Sequence, residues 1–363
     1  MSRPVRSPEI SGVTVRDGVD LPYAVHGTGE ATVLLMPTWS LVPSRWWKAQ
    51  VPYLARHLRV ITFDGRGSGA ASRPAGATAY TDEQYAEDAA AVLDATNTDR
   101  AVVVGFSCGV AWSVHLAARH PEQVQGIFAI GASCGLSVVA PAREQFAWHG
   151  NLDTTKGWAK YNKHYWLDSG YDDFVDFFAR QMFTEPHSTK QIEDVMGWAH
   201  EIEPQTLADT TAGRLGLEGA VRTPLEPACA QVRCPVLVVH GTEDAVRPAA
   251  VSLELAKLTG GDLVLVEGGG HGLPARDPVK INTMIKDFAV DVARTDQAGT
   301  RPQAEGTALR NPAPRHTTWV RAQRRPRRAL FLSSPIGLGH CRRDLAVARE
   351  LREHHPDLQI DWL

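Results

Sequence analysis

Three short stretches carry side chains able to act on one another. "GFSCG" at 105–109 holds Ser107 between two glycines, "HGTED" at 240–244 offers Glu243 and Asp244, and "GGGHG" at 268–272 offers His271. A serine hydroxyl is a weak nucleophile until an imidazole takes its proton, and a carboxylate must hold that imidazole in the right tautomer. The spacing Gly-x-Ser-x-Gly suits a strand-to-helix turn too tight for side chains at its flanks, which lifts the serine clear of the sheet. The chemistry implied is acyl transfer, with the groups in the chain order serine, acid, histidine. Any glycine-rich loop can show Gly-x-Ser-x-Gly by chance. The apolar run "AVVV" before this one, the apolar helix pattern after it and the two later loops make it a constellation. Most of the fourteen histidines belong to the surface or the core: His240 ends a strand pattern and His26 lies in an early hairpin.

These groups need a frame. Apolar β-type runs recur at "SGVTVR" near 11, "LPYAVHG" at 21, "ATVLLM" at 31, "RVITFD" at 59, "AVVVGF" at 101, "GIFAIGA" at 126, "PVLVVHG" at 235 and "DLVLVEG" at 262. From residue 31 onward they are nearly continuous hydrophobics, as in parallel strands buried on both faces. Helical patterns at 45–56, 81–95, 109–119, 247–258 and 277–290 separate them. The expected fold is α/β: a mostly parallel, eight-stranded sheet with helices on both faces. The three reactive stretches then sit at the carboxyl ends of strands, where such sheets bind ligands.

Residues 141–225 break the alternation. They contain no convincing strand, and the aromatics of "GWAKYNKHYW" and "YDDFVDFFARQMF" follow helical spacing. Twelve of the chain's 27 aromatics fall between 146 and 198, so the stretch reads as a helical lid with an aromatic underside. Most of these rings form its own core, and a few line a cavity. The remaining boundaries are a core at 1–140 and 226–292, a polar linker at 293–326, and a partial βα unit at 327–363. The arginines at 321–328 read as the solvated end of that linker.

The turn "GFSCG", the acid loop, the histidine loop and "FDGRGSGAAS" at 63–72 resemble the α/β-hydrolase superfamily of esterases, lipases, C–C hydrolases and perhydrolases, over residues 1–292. The resemblance implies Ser107, Asp244 and His271 as the catalytic triad, with Asp244 preferred to Glu243 because the family places its acid there. Asp64 and Arg66 brace the loop beneath the site. The oxyanion needs two aimed donors. One is the backbone N–H of Cys108, where a helix opens. The other belongs to the loop after "TVLLM", where relatives read His-Gly-x and this chain reads Pro37-Thr38-Trp39, which assigns the role to the Trp39 N–H. Phe106, Trp46, Trp47, Trp148 and Trp166 are the candidate substrate contacts.

The implied function is hydrolysis of a bulky, apolar carboxylic ester or lactone through an acyl-enzyme, with water as acceptor and no metal or organic cofactor. A C–C hydrolase, lyase or perhydrolase would use the same triad, as would a ligand receptor with negligible turnover. Residues 327–363 resemble the opening strand, glycine loop and helix of a GT-B glycosyltransferase, too short a piece to pack as a domain and expected to be catalytically silent. A formal net charge of −3 makes no case for nucleic acid or an anionic membrane. No apolar run spans a bilayer, and the first residues lack a secretory signal. Five scattered cysteines form no disulfide framework or zinc pattern. The expected setting is cytoplasmic; the oligomeric state stays open, a homodimer included.

Overall fold

The computed structural model describes residues 7–138, 146–297, 316–319, 328–331, 347–351, 353 and 359–362. The chain divides into two compact units, Met1–Trp319 and Val320–Leu363.

The first unit is built on one sheet: β1 (Ile10–Arg16), β2 (Val19–His26), β3 (Thr32–Leu35), β4 (Arg59–Phe63), β5 (Ala101–Phe106), β6 (Val124–Ile130), β7 (Val236–Gly241) and β8 (Asp262–Val266). Their spatial order is β1-β2-β4-β3-β5-β6-β7-β8. β2 runs antiparallel to β1 and β4, and the strands from β4 to β8 are parallel. Every residue of β5 is buried, which explains why its sequence is an unbroken apolar run rather than an alternation.

A ninth strand, β9 (His316–Trp319), pairs parallel with β8. Four residues of the predicted linker therefore extend the sheet. Polar flanks with no apolar run hid this strand, whose pairing is supplied by the edge of β8. The helix expected at 277–290 runs Pro278–Gln297, also past the predicted start of the linker at 293. The rest of that linker, including the arginines at 321–325, lies outside the described residues, as does Arg327, while Arg328 belongs to a strand rather than to a linker end.

Helices Asp82–Ala95 and Gly109–Arg119 pack together through Tyr85 stacked on Trp112, with ring centroids 3.7 Å apart. Between β6 and β7 the chain forms three helices of 11 or 12 residues, Tyr171–Met182, Thr189–Ala199 and Pro204–Leu215. The first was legible from its aromatics; Tyr171, Phe174, Phe178 and Met182 all face inward. "GWAKYNKHYW" is not one helix. Asn162 is extended, and its side chain accepts the Tyr165 N–H at 3.1 Å, so it caps a new short helix and splits the pattern. Residues 141–145, where the predicted lid begins, lie outside the described residues.

In the second unit β10 (Arg328–Phe331) and β11 (Gln359–Trp362) pair parallel, and residues 347–351 are helical. The glycine loop "PIGLGH" lies outside the described residues. Among the described residues no helix is long and apolar enough to cross a membrane.

Candidate active site

The serine, acid and histidine stretches leave the carboxyl ends of β5, β7 and β8 and meet there. Ser107 has a φ of 54°, in the left-handed region where non-glycine residues are strained. The turn holds it by main-chain bonds: Ser107 N–H donates to Ile130 O at 2.9 Å, and Ser133 N–H donates to Ser107 O at 3.1 Å. A Cβ at Gly109 would stand 2.5 Å from Pro37 O. The glycine is thus what lets the Pro37-Thr38-Trp39 loop come down onto the turn.

His271 Nε2 lies 3.0 Å from Ser107 Oγ, and His271 Nδ1 lies 2.7 Å from Asp244 Oδ2. Because the carboxylate can only accept, Nδ1 carries the proton and Nε2 is left to accept the serine hydroxyl. Both side chains of the acid–imidazole pair are 1% exposed. Burial opposes ionisation of Asp244, but the His271 charge and hydrogen bond, with help from His240 and the Arg247 N–H, hold its pKa below the ordinary carboxylate value. Its other oxygen, Oδ1, accepts from Val246 N–H at 2.8 Å and Arg247 N–H at 2.9 Å. Glu243 is exposed.

Sequence reasoning assigned His240 only to the end of a strand. Its Nε2 is 3.1 Å from Arg247 O and 3.3 Å from Asp244 Oδ2, and its Nδ1 is 2.7 Å from Ser252 Oγ. Both partners of Nε2 are acceptors, so Nε2 carries the proton and Nδ1 accepts from Ser252. Asp244 Oδ2 thus accepts from His271, with the His240 ring close beside it. Burial keeps the His240 pKa below the ordinary imidazole value. The i, i+4 spacing to Asp244 is the one local signal that could have drawn notice to it.

The N–H groups of Cys108 and Trp39 donate to no acceptor among the described residues. Cys108 caps the helix Gly109–Arg119, so its amide is among the free donors of a helix start. A hydrogen-bonded serine, imidazole and carboxylate beside free amides can attack a carbonyl and hold the negative oxygen that results.

The alpha/beta hydrolase fold family model matches residues 25–275. The chain belongs to this family. Among relatives, it is 28% identical over 277 residues to a protein named a putative non-heme bromoperoxidase, BpoC, from Mycobacterium tuberculosis, covering 75% of this chain and 98% of that one. It is 28% identical to the 2-hydroxymuconate semialdehyde hydrolase of Pseudomonas sp. over 80% of this chain and 98% of that one. Among solved structures, Est816, described as an N-acyl homoserine lactone degrading enzyme, superposes with a TM-score of 0.63 at 23% identity, over 76% of this chain and 100% of that one. The glycosyltransferase resemblance of 327–363 finds no support in the family match, which ends well before it.

In this alpha/beta hydrolase the predicted aromatic contacts fall into two groups. Phe106 stacks on Trp46 at 4.8 Å and lies 5.0 Å from the His271 ring. Trp148 and Trp166 pack at 4.7 Å, and Trp166 reaches Trp39 at 5.9 Å, so the helical insertion sits on the loop bearing the second free amide. Trp47 stands apart: its indole N–H donates to Met36 O at 2.9 Å and fixes the end of β3. The insertion is also tied to the histidine loop, since Gly270 N–H donates to Glu185 Oε1 at 2.8 Å and Gly272 N–H to Met182 O at 2.9 Å. A Cβ at Gly272 would fall 2.1 Å from the Phe183 ring, so glycine is required for that contact. Beneath the site, Asp64 accepts from Ser44 N–H and Ala70 N–H, and Arg66 closes on Asp88.

Proposed function

We propose that this alpha/beta hydrolase cleaves a carboxylic ester or lactone through an acyl-enzyme on Ser107. The observation that carries the reading is the unbroken chain Ser107 Oγ–His271–Asp244, at 3.0 and 2.7 Å. In the cycle, His271 Nε2 takes the hydroxyl proton as Ser107 Oγ attacks the carbonyl carbon. The N–H groups of Cys108 and Trp39 stabilise the oxyanion. His271 then gives the proton to the leaving alkoxide as the C–O bond breaks. A water molecule, deprotonated by the same imidazole, releases the acid and restores the serine. Asp244 stays ionised throughout and orients the ring, held in turn by the Val246 and Arg247 N–H groups. No step calls for a metal or an organic cofactor.

A serine at the apex of the turn favours acyl chemistry, because it forms an acyl ester that water can open. The aromatic surface of Phe106, Trp46, Trp148 and Trp166 favours a substrate with apolar bulk. The names of similar proteins include a semialdehyde hydrolase, a bromoperoxidase and a lactone degrading enzyme, all compatible with a Ser-His-Asp site. Turnover of 4-nitrophenyl acyl esters tests the reading: Ser107→Ala is expected to lose at least ~10⁴-fold in kcat. Unchanged turnover in that variant would overturn it. Parallel assays with dienone substrates and with peroxide-dependent bromination separate hydrolysis of esters from the other uses of the triad.

A further inference from the structure

The helix Pro204–Leu215 supplies nothing to the chemistry above, yet one of its faces meets the same corner of the molecule. Thr210 Oγ1 lies 2.7 Å from Ser40 Oγ, the residue directly after Trp39. Arg214 follows Thr210 by four residues and so projects from the same face, one turn further on. Ionisable groups that act on its guanidinium include Cys108, Tyr161, Asp82 and Tyr85. Cys108 Sγ is itself 4.0 Å from Ser107 Oγ.

The surroundings of Arg214 do not satisfy it. The residue lies deep in the molecule but keeps part of its surface open. Among the described residues nothing hydrogen-bonds to it or pairs with it at ion-pair distance. Asp82, a carboxylate acting on it, accepts the Trp112 indole N–H on Oδ1 at 2.7 Å. Arg66 makes the contrast: it is also deep, and it meets Asp88 with two bonds at 2.6 and 2.7 Å. A permanently charged fork of five N–H donors that no protein acceptor occupies is free to receive an arriving anion.

We propose that Arg214 binds a carboxylate on the acyl side of the substrate, so that the preferred substrates are esters or lactones whose acyl half carries a second, free carboxylate. This rests on the hydrolase reading given above. The acyl side follows from position: the leaving group must face His271, which protonates it, whereas Arg214 stands by the residues bearing the oxyanion amides. Arg214 makes and breaks no covalent bond. It positions the substrate.

Two readouts test this on the full chain. In the first, wild type and Arg214→Met are compared on mono-4-nitrophenyl adipate and 4-nitrophenyl hexanoate. The ratio of kcat/KM for the charged over the neutral ester is expected to fall about tenfold or more in the variant, through KM, and Arg214→Lys is expected to recover part of it. A ratio that does not change overturns the proposal, as does a wild type that favours the neutral ester. In the second, Ser107 is labelled with a fluorophosphonate in the presence of adipate or hexanoate. Adipate is expected to protect the wild type and not Arg214→Met. Labelling that adipate does not slow overturns the carboxylate site and leaves the hydrolase reading standing; absence of labelling overturns the hydrolase reading and this inference with it. Melting curves of both variants confirm that they are folded.

Discussion

The backbone at Ser107 allows its strain to be measured apart from its chemistry. Two substitutions, Ser107→Ala and Ser107→Gly, both remove the hydroxyl that lies 3.0 Å from His271 Nε2, so the loss of that hydrogen bond cancels between them. They differ in whether a Cβ remains at a φ of 54°. Holding a Cβ in the left-handed region costs about 1–2 kcal/mol, and the extra freedom of glycine in the unfolded chain returns about 0.5–1 kcal/mol of that. The expected difference is therefore roughly 0.5–1 kcal/mol, with Ser107→Gly the more stable. For a unit of about 300 residues, an unfolding entropy near 2.1 cal/mol/K per residue converts this to about 1–2 °C in Tm. Replicate calorimetry of the two variants, supported by urea midpoints, resolves such a shift, and both proteins should lack esterase turnover. An alanine variant as stable as the glycine variant would refute the argument that the turn stores strain to present the serine.

Three further outcomes follow from the groups around the site. Burial depresses the His240 pKa, so as the pH falls below about 6.5 the unfolded chain binds a proton that the folded chain refuses, and stability declines. Urea titrations from pH 7 to 5 should show a shallower loss in His240→Asn than in wild type; an unchanged slope would mean that His240 is not held neutral. Asp244 shifts stability in the same direction but in a lower window, since its depressed carboxyl contributes stability above about pH 4 that is lost only in stronger acid. Arg66→Met should cost about 3 kcal/mol by urea unfolding, the lower end for a broken buried pair, because Arg16 Nε remains 2.7 Å from Asp88 Oδ1. A loss below about 1 kcal/mol would contradict a bracing role.

How much of this was legible depended on how locally each feature is encoded. The strands β3 to β8 show in the sequence because burial on both faces demands continuous apolar runs, as in β5. The triad shows because each member lies in a turn of its own with glycines beside it. The helix Pro204–Leu215 was missed because much of its inward face is small or polar: Thr210 and Thr211 are fully buried where a hydrophobic stripe would have been the signal, whereas Thr189–Ala199 does carry such a stripe in Ile192, Val195, Met196 and Ala199. The break at Asn162 depends on one capping side chain within an otherwise helical pattern. β9 exists by pairing with an edge 50 residues away in the chain, and the roles of His240 and Arg214 exist only through tertiary neighbours. No periodicity reports such contacts.

The central claim is that the Ser107 oxygen becomes covalently acylated. Intact-protein and peptide mass spectrometry of His271→Ala, incubated with 4-nitrophenyl butyrate and quenched in acid, would address it alongside wild type quenched within the first turnover. A butyryl group on the peptide containing Ser107 in the wild type, absent from Ser107→Ala and much slower to form in His271→Ala, is the predicted result. Butyrate released with no adduct on Ser107, or an adduct on another residue, would contradict the account.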